Sequence, residues 1–120
     1  MIPEIFESEY NLCLIIWKEE PISTSELVKI AKEKLKWQRT TTYTVVKRLC
    51  ERNIMQNNNG IVTSLISKKE AQISRVDQMI VKTFEGSLPS FINAFVSSRK
   101  INADELKEIE EMIESMKKEK

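Results

Sequence analysis

Apolar residues recur along this chain with two different periods. Up to about residue 52 the spacing is helical, over 54–67 it is that of short strands, and from 69 onward it is helical again. Leu12, Cys13, Ile16 and Trp17, with Ile15 alongside, predict a first helix from a cap near Ser8 to about Lys18, stopped by Pro21. Ser23-Thr24-Ser25-Glu26 then has the spacing of a capping box. The helix it opens takes a buried side from Leu27, Val28, Ile30, Ala31 and Leu35. A short link, Lys36-Trp37-Gln38, leads into a third helix from about Arg39 to Arg52.

The third helix is built from unusual material. Thr40, Thr41, Thr42, Tyr43 and Thr44 are weak helix formers, because β-branched and aromatic side chains lose rotamer freedom against the preceding turn. Yet Thr42, Val45, Val46 and Leu49 share one stripe at 3.6-residue spacing, which predicts a core face. The opposite stripe carries Thr40, Thr44, Lys47 and Glu51, flanked by Tyr43 and Arg48. Hydroxyls, a phenol and cations are thereby turned outward.

Asn57-Asn58-Asn59-Gly60 follows, flanked by Ile54-Met55-Gln56 and by the β-branched run 61–67. Asn-Gly between candidate strands signals a tight hairpin, because both turn residues must take positive φ. Three helices and then a hairpin is the order of a winged helix-turn-helix, whose second helix-turn-helix element enters the DNA major groove. The expected fold is therefore mainly α with a small β-hairpin wing: a winged helix-turn-helix over 1–68, followed by a helical region over 69–120.

That region holds three apolar stripes. They are Ile73, Val76, Ile80 and Phe84, then Leu88, Phe91, Ile92, Phe95 and Val96, and last Leu106, Ile109, Ile113 and Met116. Glu85-Gly86-Ser87 breaks the helix between the first two stripes, and Asn102 with Glu105 heads the third as a cap-like pair. Short helices with one apolar stripe each have little core of their own. A homodimer in which Leu88, Phe91, Ile92, Phe95, Leu106, Ile109, Ile113 and Met116 bury their counterparts is the economical solution. Folding back on the winged domain of the same chain is the alternative. A membrane-surface helix fits less well, because residues 101–120 carry four lysines against seven acids.

Composition narrows the chemistry. The chain has 120 residues and no histidine, which removes the commonest general base and zinc ligand. Cys13 and Cys50 fit neither a CxxC motif nor a disulfide framework, so buried thiols in a reduced, cytoplasmic protein are expected. No apolar stretch nears the roughly 20 residues of a membrane span, and Met-Ile-Pro-Glu opens no signal peptide. No nucleophilic, metal or phosphate-loop motif suggests an enzyme or a cofactor. Net charge is only +1, but residues 29–52 hold eight cations against Glu33 and Glu51. Such a segment is a candidate phosphate-binding surface, with a solvated helix face as the plainer reading.

The residues also resemble a known family, the BlaI/MecI/CopY-type penicillinase repressors. Glu9-Tyr10 and Trp17 sit as that family's Glu-Trp and Trp do. Trp37, Thr41, Thr44, Arg48 and Leu49 fall on its recognition-helix pattern, and the order of the tail is similar. The resemblance implies a dimeric winged-helix repressor that binds an inverted-repeat operator. Lys36, Arg39, Thr40, Thr41, Tyr43, Thr44, Lys47 and Arg48 would then be the DNA-binding set. It also implies a membrane-bound sensor-protease as partner, with the bond between Ala94 and Phe95 at the family's cleavage position.

Several residues depart from the family pattern. Tyr43 replaces a usual cation, Thr40 a common lysine, and Ala94 the asparagine of the cleaved bond. The wing tip carries no cation, and no cysteine follows Cys50, so the copper-binding tail of one branch is absent. A protein-interaction adaptor on the same fold remains the competing expectation, since fold alone does not fix function.

Overall fold

A computed structural model describes residues 2–119. Six helices and three short strands follow in the order α1 (Glu7–Glu19), β1 (Ile22–Ser23), α2 (Thr24–Leu35), α3 (Arg39–Glu51), β2 (Met55–Asn58), β3 (Ile61–Ser64), α4 (Lys68–Phe84), α5 (Leu88–Ser97) and α6 (Ala103–Glu119). The chain divides into two compact units, residues 1–76 and 77–120, so the division falls within α4.

In the first unit α1, α2 and α3 pack on a common core. Leu12, Cys13 and Ile16 meet Leu27 and Ala31 of α2 and Val45, Val46 and Leu49 of α3. Ile54, Met55 and Val62 close it from the hairpin side, and Ala71 brings in α4. The four α3 residues expected inside, Thr42 included, are all buried. Burial of this stripe overrides the poor helix propensity of the threonines.

Asn59 and Gly60 both take positive φ, 53° and 86°, as a two-residue hairpin with right-handed strand twist requires. The Asn57 side-chain carbonyl accepts from the Gly60 amide at 2.9 Å and steadies the turn. β2 and β3 pair antiparallel with Asn58 opposite Ile61. The third strand, β1, pairs with β3 through Ile22 and Val62, giving the order β1-β3-β2. Sequence periodicity does not predict β1, because two residues carry no periodic signal. The apolar run 61–67 is also shorter as a strand than its composition suggests. Ser67 is taken by the next helix, exchanging bonds with Glu70 at 3.0 Å each way.

α1 starts earlier than a Ser8 cap predicts. Phe6 is the cap residue, and its amide donates to the Glu9 carboxylate at 3.1 Å. Ser8 sits inside the first turn. Glu20 ends the helix in an extended conformation, as a residue before proline prefers. Its carboxylate accepts from the amide and hydroxyl of Ser64, tying the end of α1 to β3.

The second unit consists of the end of α4, α5 and α6. Glu85 and Gly86 take positive φ, 54° and 82°, at the Gly-containing break that the sequence predicts. The Ser87 hydroxyl accepts from Ser90 at 3.2 Å and caps α5, with Pro89 in its first turn. Phe91 contacts Phe84 edge-on at 5.5 Å and Phe95 at 4.8 Å. Asn102 and Glu105 form a reciprocal capping box on α6, 2.8 and 3.2 Å. Neither α5 nor α6 has a buried residue.

Candidate nucleic-acid interface

α2, its short turn and α3 set the geometry of the outward face. The Ser23 hydroxyl caps α2 by accepting from the Glu26 amide at 3.1 Å. Lys36 stops that helix in the left-handed region, φ 61°, and its ammonium reaches back to the Glu33 carbonyl at 3.1 Å. Trp37 is half-buried against the core and turns the chain into α3.

Arg39, Thr40, Thr41, Tyr43, Thr44, Lys47 and Arg48 are all exposed on α3, and Lys36 is exposed beside its start. Thr40, Thr44 and Lys47 occupy the centre of the outward face by helical geometry. Arg39 and Tyr43 form one flank, with the guanidinium 5.4 Å from the ring centre. Thr41 and Arg48 form the other flank. The Thr44 hydroxyl donates to the Thr40 carbonyl at 2.8 Å, and the residue is exposed. The buried Thr42 hydroxyl is satisfied by the Gln38 carbonyl at 3.4 Å. The expected DNA-facing set is thus brought onto one face and its end. The wing tip, Asn57, Asn58 and Asn59, is exposed and neutral.

Arg52 is the exception in the basic segment. Its guanidinium is turned inward, donating to both carboxylate oxygens of Glu9 and to the Glu4 carbonyl. The Glu9 side chain is only 4% exposed. The hydrogen bonds from Arg52 hold its carboxyl below the usual carboxylate range, against the opposing effect of burial. Arg52 is therefore a fold-holding residue. Counting charge along the sequence does not reveal this. Glu9 itself stands among polar residues, Glu7, Ser8 and Asn11, so nothing local marks it as the buried partner.

The thiols offer no chemistry to the face. Burial pushes Cys13 up to about 12, and burial also raises Cys50. Arg48 and Arg52, the cations that sequence places near Cys50, do not overcome this desolvation.

In the second unit Leu88, Ile92, Phe95, Ile113 and Met116 are exposed, while Phe91, Leu106 and Ile109 are half-buried. Ala94 and Phe95 both lie within α5 and are exposed.

A three-helix core, a hairpin beside the third helix and an exposed polar face on that helix define the class: a winged helix-turn-helix protein. The family described as Penicillinase repressor matches residues 5–115. The chain belongs to that family. A penicillinase repressor from Bacillus licheniformis is 22% identical over 123 residues, covering 99% of this chain and 96% of that protein. Two solution structures have the same fold over part of the chain. One is the Bacillus licheniformis BlaI monomeric form in complex with the blaP half-operator, 24% identical with a TM-score of 0.53. The other is the DNA-binding domain of the repressor BlaI, 26% identical, also at 0.53. Each match covers 58% of this chain and 90% of the other.

Proposed function

We propose that this protein is a transcriptional repressor that binds an inverted-repeat DNA operator as a homodimer. The observation that carries this reading is α3. One of its faces is buried, and the other offers hydroxyls, a phenol and cations that stand exposed among the described residues. In this reading Arg48 reads a guanine edge with its planar fork, while Thr41, Tyr43 and Thr44 contact neighbouring bases. Lys36, Arg39, Thr40 and Lys47 hold phosphates and fix register.

The open apolar stripes of α5 and α6 support a second copy of the chain as partner. Exposed Leu88, Ile92, Phe95, Ile113 and Met116 would be buried two-fold in the dimer, with Phe91, Leu106 and Ile109 behind them. The bond between Ala94 and Phe95 is where a sensor-protease would sever α6 from the winged unit. It lies inside a helical segment, so such a cleavage would first require local unwinding.

Salt dependence tests the DNA reading directly. Affinity for duplex DNA should fall linearly in log-log form as salt rises, by about 0.9 units of slope per phosphate contact. Lys47→Ala should reduce that slope by about one unit per protomer while leaving sequence preference intact. An absence of salt-dependent binding would favour the adaptor reading, which the uncharged wing tip suits.

A further inference from the structure

Three arginines among the described residues lie over aromatic rings: Arg52 over Phe6 at 5.5 Å, Arg75 over Tyr10 at 4.1 Å and Arg39 over Tyr43 at 5.4 Å, each measured to the ring centre. In the first two a carboxylate shares the guanidinium. Arg52 pairs with Glu9. Arg75 donates to the Glu7 carboxylate at 2.6 Å and to the Ile5 carbonyl at 3.3 Å. Both serve the fold of the first unit. Arg52 ties the N-terminal segment to the end of α3. Arg75, together with the Trp17 indole that donates to the Ile66 carbonyl at 2.9 Å, ties α4 to α1.

Arg39 differs. Among the described residues it has no carboxylate partner, and the Tyr43 ring is what it rests on. The two residues are one turn apart on α3, with Arg39 the first residue after the Gln38 cap. The backbone beneath them is fixed. The Trp37 amide donates to the Ala31 carbonyl at 3.3 Å, and the Gln38 carbonyl accepts from the Thr42 amide at 3.2 Å. A carboxylate and a ring hold a guanidinium with opposite consequences. The carboxylate cancels the charge and takes up donors. The ring attracts the cation through its quadrupole and leaves the charge and the N–H edge for another partner. A side chain restrained in advance also loses less rotamer freedom when that partner arrives. Arg39 is thus an exposed cation that is held without being neutralised.

We propose that Tyr43 is a positioning residue for Arg39, its ring holding the guanidinium uncancelled at the start of α3 for a phosphate of the duplex. This rests on the operator-binding reading, and it gives Tyr43 a second task beside its base contact.

The test is a double-mutant cycle on the full chain. Binding is measured across a salt series on a preferred duplex selected from random sequence and on a scrambled one, with thermal melts alongside. Tyr43→Phe is the reference, because it removes the phenol and keeps the ring. Tyr43→Leu removes the ring as well. With Arg39 present, Tyr43→Leu should bind about threefold more weakly than Tyr43→Phe. The factor should be the same on both duplexes, because a phosphate contact carries no sequence. In an Arg39→Ala chain the two Tyr43 variants should bind alike, and the salt slope should be lower by about one unit per protomer.

An undiminished gap between the two variants in the Arg39→Ala chain overturns the proposal, because the ring would then act on DNA by itself. Equal binding of the two with Arg39 present overturns it as well. So does a gap confined to the selected duplex, which would make the ring a base contact, or one matched by a loss of folded protein, which would make the pair a helix stabiliser only. If the wild type shows no salt-dependent binding to any duplex, the operator reading fails first and takes this proposal with it.

Discussion

Arg52 shows how little a residue's charge says about its task. Eight cations lie within residues 29–52, yet this one faces inward on Glu9. Removing one partner of a buried pair leaves the other charge uncompensated, so Arg52→Met should destabilise the first unit by about 3 kcal/mol, the low end for such pairs because Arg52 is partly exposed. Denaturant melts of wild type and variant check this. The sign with pH follows from Glu9. Its folded carboxyl lies below its ordinary value, so the stabilisation is present above the ordinary carboxylate range and is lost as pH falls through the folded value. Glu9→Gln should therefore show a shallower decline in stability on acidification than the wild type.

The same scale divides what sequence shows from what it hides. Thr42 and Thr44 are chemically identical and two positions apart, yet one is buried and the other exposed. Periodicity assigns both, because Thr42 shares its stripe with Val45, Val46 and Leu49. Arg52 and Arg75 are not assignable that way. Their partners lie 43 and 68 residues away in the chain. Tyr10 and Trp17 fit the family pattern, but only the folded structure shows that they hold α4.

At the scale of elements the wing depends on its turn. Gly60 has φ 86°, and a Cβ there would come no closer than 3.9 Å to the Thr24 hydroxyl oxygen. There is room for it, so the penalty for Gly60→Ala is the left-handed backbone alone, roughly 1–2 kcal/mol. Thermal melting should register that penalty with α3 intact. The helices and the hairpin are legible in the sequence because their caps and turns are local: Ser23 with Glu26, Asn59 with Gly60, Asn102 with Glu105. β1 is not, because it exists only through pairing with β3. The run 61–67 misleads for a related reason. Ser67 has a stronger local role as a helix cap than as a strand residue.

At the scale of the whole molecule the two units have unlike surfaces. The first encloses a continuous core from Leu12 through Ala71, whereas the second leaves Leu88, Phe95, Ile113 and Met116 open to solvent. Deleting the chain after Gly86 should therefore give a folded monomer that binds a half-site weakly, as sedimentation and titration on half-site and full duplexes would show. A tight dimer from the truncated chain would put the interface in the winged unit instead. The change of pattern along the sequence puts the boundary at 68/69, whereas the compact units divide at 76/77. The boundary lies within α4 because Ala71 belongs to the first core and Arg75 bonds to Ile5 and Glu7 of the first unit.

In the proposed function α3 reads DNA through its exposed face, and everything else depends on that. Arg48→Ala tests it most directly, in a shift assay on a preferred duplex selected from random sequence, against a scrambled competitor. Arg48 is exposed and outside the core, so the variant should fold and dimerise as the wild type does. Its preference for the selected duplex should fall by about 1–3 kcal/mol for each guanine edge that it no longer reads. Full affinity and undiminished selectivity in that variant would contradict the account.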